Sequence, residues 1–180
     1  MNMNFINALA ALSAITEGVE DYQEKYKQYV IEHKQRVKQY ADWLKKNLPE
    51  LFNEPGLEDF DKLIEEHDDS KFSEEEFEPY ANFWYNDSEH YDYDPEYEAA
   101  WEHHWMNNEH HPEYWNGNDM PYIYILELIC DWGSFGIKKG DYKELIDYYN
   151  EEAKYDDEKD LSPNTKKIIE EILSKIEEVA

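Results

Sequence analysis

Residues 121–132, PYIYILELICDW, are apolar almost all round a helical projection. A helix of that kind has no solvent face, so neighbouring elements must cover it on every side. Residues 22–48 supply one such neighbour. Tyr22, Tyr26, Tyr29, Val30, Val37, Tyr40, Ala41, Leu44 and Leu48 recur three and four apart, with polar residues filling the gaps. His33 falls on that same apolar stripe, and Pro49 followed by Pro55-Gly56 ends the helix.

The remaining segments read as further helices. A second is expected over 57–67, with Phe60, Leu63, Ile64 and His67 on one face. After the turn Asp68-Asp69-Ser70-Lys71, Ser73 with Glu76 reads as a capping box and Phe72 with Phe77 as its hydrophobic staple. A third helix therefore starts near Glu74 and carries Tyr80, Phe83 and Trp84. Residues 86–94 read as an acidic loop, and Asp94-Pro95 as the N-cap and first position of a fourth helix with Ala100, Trp101, His103 and His104. Residues 107–119 should be irregular. Gly133, Gly136 and Gly140 set off a tyrosine-rich amphipathic stretch, and Ser162-Pro163 caps a last helix. Residues 5–15 are mildly apolar, follow no basic segment and are too short to span a bilayer, so they read as a packing helix rather than a signal peptide. No alternating strand pattern occurs. The expected fold is all-α: one compact helical domain over 1–180, with a core over about 22–132 and C-terminal helices over 141–180 packed on it.

The formal charge of −27 narrows the partners. A protein that neutralises phosphates along a nucleic acid needs clustered Lys and Arg, and one that docks on anionic lipid needs the same. The charge therefore argues against direct nucleic-acid binding and against a membrane partner. A 16% aromatic content separates the chain from disordered acidic segments. The single cysteine, Cys130, allows no internal disulfide and suits the cytoplasm. As a lone thiol it reads as a core residue rather than a reactive one.

Six of the seven histidines lie at four places: His33, His67, His103-His104 and His110-His111. Asp68 and Asp131 stand with them, and Asp131 ends the most apolar helix. Taken alone, His33 reads as a satisfied core histidine and the two pairs as surface residues, with His90 incidental in the acidic loop. Taken together they read differently. Burying several histidines and two aspartates in one small core is costly without a compensating ion. Imidazole with carboxylate is a common ligand set for Mn, Fe, Co, Ni or Zn, so one or two divalent ions are expected.

The order of these residues resembles the HD superfamily of helical, metal-dependent phosphohydrolases. His33 comes first, then the adjacent His67-Asp68, then further histidines, and finally Asp131 on a late helix. The run His67-Asp68-Asp69-Ser70-Lys71 resembles the His-Asp-x-Gly/Ser-Lys turn of many members. Histidines between the pair and the last Asp resemble the binuclear branch, although the spacing from His104 to His110-His111 is shorter and no Gly-Tyr-Pro follows. The stretches HDDSKFSEEEF, AWEHHWMNNEHHPEYW and LICDW also resemble a family of short phage and bacterial proteins.

What the resemblance implies is hydrolysis of a small phosphorylated molecule such as a nucleotide, in the cytoplasm, or the host cytoplasm for a phage-encoded chain. His33, His67, Asp68 and Asp131 would hold one metal, and Asp68 would bridge to a second held by His104 and His110 or His111. A divalent ion brings the pKa of bound water toward neutrality and makes hydroxide available as nucleophile. Lys71 would bind a phosphate oxygen, and Glu127, one turn before Asp131, would orient a ligand histidine. Two other functions fit the same residues. One is an HD-type di-iron oxygenase. The other is an acidic, non-enzymatic interaction protein of DNA-mimic or inhibitor type, using its carboxylate surface on a protein partner.

Overall fold

The computed structural model describes residues 3–86, 93–155 and 161–180, with side chains from Asp21 onward. Its described elements are helical, and no strand occurs among them, so the fold is all-α as expected. In chain order the helices are α1 (Met3–Asn47), α2 (Phe60–Glu66), α3 (Phe77–Tyr85), α4 (Pro95–Asn107), α5 (Pro112–Trp115), α6 (Tyr122–Ile137), α7 (Glu144–Tyr148) and α8 (Pro163–Val179). Short 3-10 turns cover Pro49–Phe52 and Asp69–Phe72, and a π turn Tyr149–Ala153 follows α7. Residues 5–15 lie within α1, and how their side chains pack is outside the described residues. Residues 87–92 of the expected acidic loop, including His90, are outside them too. Among the described residues no helix is long and apolar enough to cross a membrane.

By internal packing the chain divides into two units. The first is Met1–Ile31 with Ser70–His104. Its core is aromatic: Tyr26, Val30, Tyr80, Ala81 and Ala100 are buried, with Phe77, Tyr85 and Tyr97 packed around them. The Tyr26 ring lies 5.4 Å from Phe77 and 6.1 Å from Tyr80 at tilted angles, the arrangement that ring quadrupoles favour over a face-to-face sandwich. At the start of α4, the Asp94 carboxylate accepts from the backbone N–H of Glu96 and Tyr97, as the Asp-Pro signal predicts.

The expected capping box at Ser73 and Glu76 does not form. α3 begins at Phe77, later than the predicted start near Glu74, and Glu76 makes no side-chain cap bond. Its carboxylate is used by histidines instead, as described below. Phe72 and Phe77 nevertheless stack, with ring centroids 6.4 Å apart.

The second unit is Glu32–Asp69 with Trp105–Ala180, and it carries the larger core. α6 is its centre: Ile125, Leu126, Leu128, Ile129 and Cys130 are each at most 1% exposed. They pack with Val37, Tyr40, Ala41 and Leu44 of α1, and with Leu145, Tyr149, Ile169, Ile172 and Ile176 from the C-terminal segment. Each such aliphatic or aromatic side chain gains about 1.5–3 kcal/mol on burial. At the head of α8 the Ser162 hydroxyl accepts from the Thr165 N–H at 3.0 Å and donates to Asp119 at 2.6 Å. The Thr165 hydroxyl in turn accepts from the Met120 N–H, tying the entry of α6 to α8.

α6 runs past Gly133 and Gly136, which the sequence placed after the central helix. Both glycines are there for close approach rather than for a break. A Cβ on Gly133 would lie 2.3 Å from the ring of Tyr40, a fully buried residue whose hydroxyl donates to the Tyr142 carbonyl. A Cβ on Gly136 would lie 1.9 Å from the Asp141 carbonyl oxygen. α2 is shorter than expected because residues 57–59 form a turn before it. Gly133→Ala should therefore lower the unfolding free energy by about 1–3 kcal/mol, the usual cost of overpacking, as read by chemical denaturation.

Candidate metal centre

Three separate segments of the second unit bring six polar side chains into its core. α1 supplies His33, 2% exposed. The turn leaving α2 supplies His67 and Asp68, 2% and 1% exposed. α6 supplies Glu127, Asp131 and Ser134, which fall on successive turns of one face. The turn is unusual in its backbone. Asp68 has φ +59°, a left-handed conformation that non-glycine residues adopt at a cost of about 1–3 kcal/mol. Asp is among the residues that tolerate it best. The next residue, Asp69, is ion-paired with Lys34 of α1, which fastens the turn beside His33.

Four donor atoms converge. His33 Nε2 lies 3.1 Å from Asp131 Oδ1, 3.3 Å from Asp68 Oδ2 and 3.3 Å from His67 Nε2. His67 Nε2 lies 3.5 Å from Asp68 Oδ2 and 3.8 Å from Asp131 Oδ1. A metal with bonds of about 2.1 Å places tetrahedral ligands about 3.4 Å apart, which matches the spacing of the two imidazole nitrogens from each other and from the carboxylate oxygens.

The far side of each ring is also engaged. His67 Nδ1–H donates to Glu127 Oε1 at 2.9 Å, which leaves Nε2 as the lone-pair nitrogen. His33 Nδ1 lies 3.3 Å from the hydroxyl of Ser134, itself fully buried, and this again leaves Nε2 for the cluster.

Electrostatics leads to the same arrangement. Asp68, Glu127 and Asp131 bring three carboxylates into one poorly hydrated space. Such charges are tolerated only with a compensating cation. In the metal-free chain His33 and His110 take that part. Burial pushes His33 down, but hydrogen bonds to Asp131 and Asp68 outweigh it and raise its pKa. Burial likewise opposes protonation of His110, yet Glu127, Asp68 and Asp131 carry its pKa up to about 9. Burial would raise Asp131, but His33, His67 and His110 hold it well below the usual carboxylate range. The buried His and Asp groups could hold a metal ion in place of those protons.

The later histidine pair also reaches this region. His110 is buried, with Nδ1 3.4 Å from Glu127 Oε1 and Nε2 3.7 Å from Asp68 Oδ1. His111, the residue before α5, is partly buried, and Asp68, His110 and His111 offer ligand atoms within 4.8 Å of one another. Both members of the pair, not one, therefore lie near Asp68.

His104 belongs to the first unit, where it is 1% exposed. Its Nδ1 donates to Glu76 Oε2 at 2.8 Å, and Ser70 Oγ lies 3.2 Å away. His103, on the adjoining position, donates from Nδ1 to Glu76 Oε1 at 2.8 Å. Glu76 is thus a fully buried carboxylate that holds both histidines, a role its place in the sequence did not signal. Lys71 is partly buried in the first unit, close enough to Tyr97 for its charge to act on that phenol. Cys130 is fully buried, and burial pushes its thiol well above the ordinary value, as befits a core residue.

A family model described as "Family of unknown function (DUF5662)" matches residues 22–175, and the chain belongs to that family. No curated protein and no solved structure matches the chain. The match includes His33, His67, Asp68, Asp131 and both orienting residues, Glu127 and Ser134.

The orienting role of Glu127 has a measurable consequence. Glu127→Gln keeps the volume but removes the carboxylate that fixes His67, and should weaken metal affinity by roughly 10–100-fold. Competition against a chelator, with circular dichroism showing unchanged helix content, reads this out.

Proposed function

We propose that this chain is a metal-dependent phosphohydrolase acting on a small phosphorylated substrate, with an HD-type centre formed by His33, His67, Asp68 and Asp131. The observation that supports it most is that two imidazole nitrogens, from separate segments, lie 3.3 Å from each other and 3.1–3.8 Å from the carboxylate oxygens of Asp68 and Asp131 in the buried core. Two imidazole nitrogens with two carboxylate oxygens suit Mn, Fe, Co, Ni or Zn. When bound there, such an ion acts as a Lewis acid on a phosphoryl oxygen and lowers the pKa of a water toward neutrality.

The chain's own residues prepare that chemistry. Glu127 accepts from His67 Nδ1–H, and the Ser134 hydroxyl lies within hydrogen-bonding distance of His33 Nδ1, so both rings turn Nε2 toward the carboxylates. Asp68 directs Oδ2 toward His33 and His67 and Oδ1 toward His110, so that a second ion would be held by Asp68 together with His110 and His111. Asp131, with 16% of its side chain exposed, is the donor that substrate and solvent reach. A reducing compartment such as the cytoplasm suits the single buried thiol of Cys130.

Elemental analysis of purified protein, paired with a phosphate-release screen of nucleotides and sugar phosphates, tests the reading. The wild type should carry one or two equivalents of a transition metal and release phosphate. Asp131→Asn, close to isosteric, should lose the metal and turnover together while staying folded. A folded wild type that takes up no metal after incubation with Mn and Fe(II) would overturn the proposal and favour an acidic interaction protein.

A further inference from the structure

From Ile125 to Gly136, every residue of α6 is buried except two, Asp131 and Phe135. These lie one turn apart, on the same face of the helix. Their exposure is uneven in an informative way. His33, His67 and Asp68 keep at most 3% of their side chains exposed, and Asp131 keeps 16%. Of the four residues, Asp131 is therefore the one that keeps side-chain surface in solvent. Phe135 is 51% exposed, and its ring centroid lies 5.7 Å from that of His33, whose Nε2 is 3.1 Å from Asp131 Oδ1. A large apolar ring is thus left in water on the most buried helix of its unit, beside the one wet donor. A single exposed aromatic on an ordinary surface helix needs no explanation. Here the neighbouring positions on both sides are in the core, and only Asp131 and Phe135 are not.

We infer that Phe135 is a stacking platform for the organic part of the substrate, and that the substrate is therefore a phosphate ester carrying an aromatic ring, as a nucleoside phosphate does. The inference rests on the phosphohydrolase reading above. Its phosphate lies toward Asp131 and His33, and its ring covers the exposed face of Phe135. Stacking of a base on an aromatic side chain is tolerant of which base it is, because every base offers a π face. Phe135 accordingly selects for the presence of a ring rather than for its identity.

Binding tests this without turnover. The non-hydrolysable 5′-methylenephosphonate analogues of AMP and of ribose 5-phosphate differ by the base alone. Each is titrated calorimetrically into Mn-loaded protein freed of excess metal. The AMP analogue should bind the wild type at least about tenfold more tightly, within the range that base–aromatic stacking supplies. Phe135→Ala should remove that preference while leaving metal content and affinity for the ribose analogue unchanged, and Phe135→Tyr should retain it. Equal affinities in the wild type, or a preference that survives in Phe135→Ala, would overturn the stacking role and leave the phosphate-binding metal centre standing. A protein that holds Mn but binds neither analogue would overturn the phosphohydrolase reading and the stacking role together.

Discussion

Three carboxylates, Asp68, Glu127 and Asp131, are brought into one core with His33, His67 and His110, and much of the local structure follows from the need to compensate them. Their burial is not a device for stability. Desolvating such groups costs several kcal/mol apiece, and well-packed apolar residues would do at least as well. The surroundings spend stability on the same arrangement: Asp68 sits in the left-handed region, and Lys34 is committed to Asp69 to hold the turn. α6 gives three successive positions of its inner face to Glu127, Asp131 and Ser134 although nearly every other position in its middle is apolar. Features that cost stability and converge on one point are the signature of a site that is selected for chemistry.

The overall charge fits this centre better than it first suggests. At −27 the chain's field concentrates divalent cations and disfavours free phosphate esters at long range. Within about a Debye length, roughly 8–10 Å at physiological salt, a bound ion reverses that sign locally. Many of the lysines are occupied with carboxylates on the surface: Lys25 with Asp21, Lys38 with Asp42 and Lys62 with Glu66, all one helical turn apart. Such exposed pairs contribute about 0.3–0.5 kcal/mol each and leave the net field almost unchanged. An acidic surface of this kind repels a long polyanion.

How much of this was legible in the sequence depends on the range of the interaction involved. α6 and the second half of α1 were readable because their apolar patterns are local. His33 and Asp131 stood out because they are polar residues on apolar faces, and His67-Asp68 because of the turn that follows. The start of α3 was misread for a physical reason. Ser73 and Glu76 have capping-box spacing, but two histidines 27 and 28 positions further on take the Glu76 carboxylate. Gly133 and Gly136 looked like breaks, whereas contacts with Tyr40 and Asp141 require them inside the helix. Ser134 carried no signal at all, since its role exists only through His33, about a hundred positions earlier. The choice between His110 and His111 was likewise undecidable beside Pro112.

On the proposed reading, His33, His67, Asp68 and Asp131 together bind one ion. Anomalous scattering at the manganese edge from crystals of the Mn-loaded protein locates such an ion directly. The expected result is a peak within about 2.0–2.3 Å of His33 Nε2, His67 Nε2 and an oxygen each of Asp68 and Asp131, bond lengths ordinary for nitrogen and oxygen ligands of such an ion. A map with no peak among these residues, or with manganese bound only at surface carboxylates while the buried histidines stay hydrogen-bonded to the aspartates, would contradict it.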